Sequence, residues 1–118
     1  MPIYPFSRQS LLAMQTLGRK TGQPRLTPMG YVRLGDRVLV VAEHGTRADW
    51  YLNARAAGSV RVLYRGRWRT ATVAATDDDP RTVLALMPSR TIAAFNRALW
   101  HRPRVVEIGF IEGSEPAE

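Results

Sequence analysis

The sequence predicts a mainly β domain with helices, an α+β fold in which an antiparallel barrel or curled sheet of about six strands is covered at its openings by two to three helices. Six apolar runs of strand length are separated by glycine, proline or aspartate turn signals. Helical patterns interrupt these runs only after the third and the fifth, so strands and helices do not alternate as a Rossmann sheet or a TIM barrel requires. The 118 residues, 45% hydrophobic and 23% charged, suffice for one domain with its own core and no disulfide or structural metal. The whole chain, 1–118, is therefore expected to form a single domain, with 1–9 and 112–118 as loose ends.

Each element follows from local chemistry. Ser10 to Leu17 is apolar enough for a strand and runs into Gly18-Arg-Lys-Thr-Gly-Gln-Pro24, whose glycines and proline force a turn. Leu26 to Leu34 resumes a strand, Gly35-Asp36 signals a tight turn, and Arg37 to Ala42 reads as a largely buried strand, so the first three strands are expected as a meander. Ala48 to Ala57 carries Trp50, Asn53/Ala54 and Ala57 at helical spacing, with Gly58 as its stop. Val60–Tyr64 and Trp68–Ala75 flank Arg65-Gly66 as a hairpin, with Arg61, Arg65, Arg67 and Arg69 assigned to its outer face. Asp79 and Pro80 supply an N-cap and a first helical residue for a helix to about Met87. A second helical pattern extends from Pro88 to Trp100, and Arg104 to Ile111 alternates as a last strand.

The chain lacks cysteine, so disulfides, thiolate chemistry and Cys-ligated zinc are excluded and a cytoplasmic location is the default. Prolines 2 and 5 stand where a signal peptide would need an apolar run, and no stretch approaches the roughly 20 apolar residues of a membrane span. The net charge of +7 is uneven: residues 1–69 hold 12 basic and 3 acidic side chains, residues 70–118 hold 5 and 7. An anionic partner would meet the first part of the chain.

The most informative stretch runs from Gly18 to Tyr31. A glycine-bounded turn exposes backbone N–H groups, and Arg19, Lys20 and Arg25 crowd charge-assisted donors around it, as a phosphate or carboxylate site needs. A solvated hairpin turn would have the same composition. The loop is not a P-loop, because Gln23-Pro24 follows where a helix should open. His44 and His101 are the only histidines, too few for a metal site; His44, beside Glu43, is a candidate proton donor. Asp77-Asp78-Asp79 is assigned to helix-start chemistry.

Gly18-Arg-Lys-Thr-Gly-Gln-Pro-Arg-Leu-Thr-Pro28, then Tyr31, Gly35-Asp-Arg37, Val40-Val-Ala42 and Trp50-Tyr-x-Asn53 closely resemble the deazaflavin-dependent nitroreductase family over about residues 14 to 62. The resemblance implies a split antiparallel β-barrel and a deazaflavin cofactor, coenzyme F-420, whose anionic tail is held by Arg19, Lys20, Thr21, Gly22 and Arg25. It puts Pro28, Val41 and Ala42 near the ring system and adds Trp50 and Asn53 to the cofactor-binding set, although Trp50 also reads as packing the helix onto the sheet. The implied activity is hydride transfer from reduced F-420 to a quinone or nitro-type acceptor, with the cofactor carrying the chemistry.

Three departures from the family pattern bear on this expectation. Members commonly have a longer N-terminal helix, so peripheral membrane contact or substrate closure through it is left open. Glu43-His44 replaces a serine, and the carboxylate is expected to repel an anionic cofactor. No tyrosine follows Tyr64, which leaves Trp68, Phe95, Trp100 and His101 as alternative pocket walls or as ordinary core and surface residues. Rival readings are FMN in the same fold, or a non-catalytic barrel that binds nucleic acid or a small ligand through Arg61, Tyr64, Arg65, Arg67, Trp68 and Arg69. A solvated strand face accounts for that arginine pattern, so a nucleic-acid partner is not expected; a homodimer is compatible with the fold.

Overall fold

The computed structural model describes residues 11–87 and 102–111. Seven strands form one antiparallel sheet: β1 (Leu11–Leu17), β2 (Pro24–Gly30), β3 (Val32–Leu34), β4 (Arg37–Ala42), β5 (Val60–Tyr64), β6 (Arg67–Ala75) and β7 (Arg104–Phe110). Two α-helices, α1 (Asp49–Ala57) and α2 (Pro80–Leu84), and a 3-10 turn at Gly45–Arg47 complete the described fold. The spatial order is β2-β1-β5-β6-β7-β4-β3. β2 and β3 therefore stand at opposite edges of the sheet although only Tyr31 separates them in the chain. A chain that passes from one edge to the other within one residue brings those edges together and curls the sheet into a barrel.

This corrects the expected meander. Leu26 to Leu34 is not one strand beside its two neighbours: β2 pairs with β1, with Leu12 opposite Met29, and β3 pairs with β4, with Val32 opposite Leu39. Six expected runs become seven strands because one of them bends at Tyr31. Turn signals specify each hairpin locally but do not say at which edge of the sheet the next hairpin starts.

Period-two alternation sorts the side chains into two cores. Leu12, Met14, Met29, Val38, Val40, Val62, Val73, Val106 and Ile108 fill the barrel. Leu39 and Val41, on the other face of β4, pack with Val32, Val83, Leu84, Met87 and Val105 beneath α2. The unbroken apolar run of β4 is thus explained by burial on both faces. Tyr31 closes the bend, its ring edge-on to Tyr64 at 5.1 Å, with Tyr64 in turn 5.0 Å from Phe110. Burial, followed by the neighbouring Tyr64, pushes the Tyr31 hydroxyl pKa above its ordinary value.

The helices obey their end signals. Asp79 Oδ1 accepts from Arg81 N at 2.9 Å, and Pro80 opens α2. The helix proper stops at Leu84, and turn hydrogen bonds carry the chain on to Met87. Gly58 ends α1 with φ +87° and donates to Ala54 O. Within α1 the buried residues are Tyr51, Asn53 and Ala54; Trp50, half-buried, packs against the barrel core as its sequence position predicts, whereas Ala57 is exposed. The helix is pinned to the barrel by Arg55, whose Nη1 donates to Val73 O at 3.1 Å. The expected helix from Pro88 to Trp100 lies outside the described residues.

The hairpin arginines divide. Arg61, Arg65 and Arg67 are exposed, but Arg69 pairs across from Val62, on the inward-facing parity of β6, and lays its guanidinium over Phe110 at 3.6 Å. The pleat that turns Ala71 and Val73 into the barrel turns Arg69 the same way. Trp68 faces outward instead, 40% exposed, with Arg61 5.6 Å from its ring centroid.

Asp78 serves a purpose beyond starting a helix. Arg37, at the start of β4, donates through Nη2 to Asp78 Oδ2 at 2.7 Å and to Glu107 Oε1 of β7 at 3.1 Å, while Thr76 Oγ1 donates to Asp78 Oδ2 at 2.6 Å. These bonds, the one from Arg37 first, hold the Asp78 carboxyl below its ordinary value of 3.8, at about 2. Because the folded-state value is the lower one, the contribution of Asp78 to stability is present above pH 4 and disappears as the pH falls from about 4 to about 2. Asp78→Asn should lower the melting temperature at pH 7, and the gap to the parent should close on acidification through that window. Paired thermal melts from pH 7 to pH 2 measure it; a gap that stays constant with pH would show the pairing to be energetically idle.

Candidate functional site

The β1–β2 turn is built by its own backbone. Gly18 N donates to Gln23 O at 2.8 Å and Gly22 N to Gly18 O at 2.7 Å, and Gly22 adopts φ +71°, a conformation that suits a residue without Cβ. Thr21 Oγ1 accepts from Gln23 N at 3.2 Å, so its hydroxyl is drawn into the loop. The register that places Leu17 opposite Pro24 and Thr16 opposite Arg25 then carries Arg25 back alongside the loop.

Arg19 joins this loop to α1. Its backbone N and its Nη1 both donate to Asn53 Oδ1, at 3.1 and 2.8 Å, and its Nη2 lies 3.5 Å from Asp49 Oδ1. Both partners of Asn53 Oδ1 are donors only, so the amide must present its oxygen to them. Asn53 is 3% exposed, which makes this a buried polar link between segments 34 residues apart in sequence. Much of Arg19 is thus engaged in holding the loop on the helix. Among the described residues, Lys20 and Arg25 have no such carboxylate or amide partner, and both are exposed.

Two adjoining cavities meet at Arg25, Asp49 and Asn53. The first, of about 210 Å³, is lined by Gly18, Arg19, Lys20, Thr21, Arg25, Asp49 and Asn53, so three cations face one carboxylate there. The second, of about 350 Å³, adds Thr16, Pro28, Met29, Val41, Ala48 and Trp50 as walls, with Glu43 and His44 among its lining residues. Together they make one groove with a cationic end and a mostly apolar end. Thr16 lines the second cavity, and its hydroxyl is buried and has no hydrogen-bond partner.

Most residues singled out from the sequence come together in this groove: Arg19, Lys20, Thr21, Arg25, Pro28, Val41, His44, Trp50 and Asn53 line it. Gly22 shapes the loop without lining either cavity, and Ala42 is fully buried in the barrel core. Val41 borders the groove although it packs in the second core beneath α2. Trp68 lies on the outer face and lines neither cavity, whereas Phe95, Trp100 and His101 lie outside the described residues. Sequence reasoning missed Thr16, Met29 and Asp49. Thr16 had a signal of its own, a hydroxyl residue that breaks the inward apolar series Leu12, Met14.

Residues 3–105 match the family described as F420H(2)-dependent quinone reductase. The chain belongs to that family. It is 41% identical over 54 residues to the F420H(2)-dependent quinone reductase of Mycobacterium tuberculosis, a match that takes in 43% of this chain and 36% of the relative. The same figures hold for a putative F420H(2)-dependent quinone reductase of Mycobacterium bovis. The chain thus spans about a third of the length of the curated relatives it matches. Among solved structures, an F420-H2 dependent reductase (FDR-A) aligns with a TM-score of 0.58 at 19% identity, over 92% of this chain and 99% of that one. The heme storage protein HutZ from Vibrio cholerae aligns at 0.62 and 14%, over 89% and 84%. At these identities the structural likenesses establish the split-barrel fold alone. Among the described residues no helix is long and apolar enough to cross a membrane.

The Arg19–Asn53 link predicts a specific cost. Asn53→Ala removes the acceptor of two donors at a buried site and should destabilise the protein by about 1–3 kcal/mol. Urea unfolding measures this directly. An unchanged midpoint would show that the loop is held by its backbone hydrogen bonds alone.

Proposed function

We propose that this protein binds coenzyme F-420 in the groove and transfers hydride from its reduced form to a quinone or nitro-type acceptor. The observation that carries this reading is the groove's division: Lys20 and Arg25 at one end, and Pro28, Met29, Val41, Ala48 and Trp50 among the walls of the other. A molecule with an anionic tail and a planar ring matches that division, and family membership supports the identity of the molecule. The buried, unpartnered Thr16 hydroxyl is a further point of fit, because a native fold seldom leaves such a group without a use.

When bound, reduced F-420 supplies the hydride, and the protein contributes binding, orientation and electrostatics. Lys20 and Arg25 neutralise the tail; Arg19, anchored to Asn53, fixes the loop that presents them. Pro28, Met29, Val41 and Trp50 would flank the ring end. His44, an exposed residue that lines the same cavity, would deliver a proton to the reduced acceptor.

Lys20→Ala should weaken F-420 binding by about 10- to 100-fold, the loss of one charge-assisted bond. Because Lys20 is exposed, the cofactor-free melting temperature should hardly move. Arg19→Ala should lose both affinity and stability. Quenching of deazaflavin fluorescence, with FMN and a random oligonucleotide titrated in parallel, gives the comparison. Equal affinity of the parent for FMN, or a Lys20→Ala protein that binds F-420 as the parent does, would overturn the assignment. Replacing Arg65 and Arg67 together by Ser should leave F-420 affinity unchanged, since both lie outside the groove. Oligonucleotide retention that is steeply salt-dependent in the parent and lost in this double variant would favour a nucleic-acid site instead.

A further inference from the structure

On β1 the inward positions are Leu12, Met14 and Thr16, exposed by 2%, 0% and 3%. The first two are apolar and pack in the barrel. Thr16 takes the same face one step further, where the barrel interior opens into the groove. Its Oγ1 is buried and makes no hydrogen bond. Valine has nearly the same shape and a strong preference for strands, and it would occupy this position without stranding a polar atom. Retaining a hydroxyl here costs the ligand-free fold stability, and a partner that enters the groove would account for it.

The position narrows what that partner offers. Thr16 lines the apolar cavity, with Pro28, Met29 and Trp50, and is absent from the lining of the cationic cavity at the loop. Arg25, its cross-strand neighbour, already provides a strong donor toward an anionic tail. We infer that Thr16 is a positioning residue whose hydroxyl donates a hydrogen bond to a carbonyl oxygen on the ring system of the bound cofactor. This rests on reading the groove as an F-420 site. A single donor fixed on a rigid strand resists rotation or sliding of the ring between apolar walls, which supply attraction but little direction.

The test uses Thr16→Val and Thr16→Ser, with two ligands: F-420 itself and 5-deazariboflavin, which has a related deazaflavin ring with the same carbonyl groups and a ribityl chain but no anionic tail. Cofactor-free Thr16→Val should melt about 3–6 °C above the parent, since it removes an unsatisfied buried group. It should also bind both ligands about 3- to 10-fold more weakly, the loss of one neutral hydrogen bond, and Thr16→Ser should restore the affinity. A merely structural threonine would move melting temperature and affinity in the same direction; this one should move them in opposite directions. Unchanged affinity of Thr16→Val, a loss confined to F-420, or a lower cofactor-free melting temperature would each overturn the inference. Lys20→Ala keeps the two readings apart, since it should lose F-420 while retaining 5-deazariboflavin. A parent that binds neither ligand would overturn the F-420 reading itself.

Discussion

Tyr31 sits between two strands that occupy opposite edges of one sheet, and the chain cannot make that passage without drawing the edges together. The bend decides which face of each strand becomes interior. It sets Thr16, Arg25 and Met29 along one wall of the opening and leaves the other wall to the end of β4 and the start of α1. The aromatic contacts of Tyr31 with Tyr64, and of Tyr64 with Phe110, hold the bend from inside the barrel. Arg37, bound to both Asp78 and Glu107, fastens the strand that follows from outside.

The division of labour among the loop cations follows from this frame. α1 comes close enough to the β1–β2 turn for Asn53 to accept two bonds from Arg19, and Arg55 ties the same helix to β6. Once Arg19 is committed to the helix, Lys20 and Arg25 remain as the cations that face the groove without an internal partner. Three similar charges within seven residues therefore have unequal roles. One is architectural first, and two are available to a ligand.

Composition and turn chemistry made the strands, the hairpin at Arg65-Gly66, the Asp79 cap and the Gly58 stop legible, because each is decided within a few residues. What escaped was decided at a distance. Nothing in Leu26 to Leu34 says that its two halves belong to opposite edges, since both halves are extended chain. Arg69 looked like its exposed neighbours until strand parity turned it toward Phe110. Asp78 looked like part of a helix start until the fold brought Arg37, 41 residues away, to its carboxylate. The loop was legible as a glycine turn, because its backbone bonds are local, but its link to Asn53, 34 residues away, was not. At Thr16 the sequence shows only a hydroxyl in a largely apolar run, and which face of β1 it occupies is set by the fold.

Glu43 illustrates how geometry changes the meaning of a charge. Read in sequence, a carboxylate near a site for an anionic cofactor is a liability. In the fold it lines only the apolar cavity, while Lys20 lines only the cationic one. Two unit charges a few ångströms apart near a protein surface interact by several kcal/mol at an effective dielectric constant of about 20, and less as water intervenes. An anionic tail entering from the wrong end would lose the attraction of Lys20 and meet the repulsion of Glu43. Entering the other way, it would gain the first and meet only Asp49, a carboxylate that three cations face. Under the proposed reading, the Glu43 carboxylate would orient an anionic ligand rather than exclude it, since Glu43 and Lys20 line different cavities.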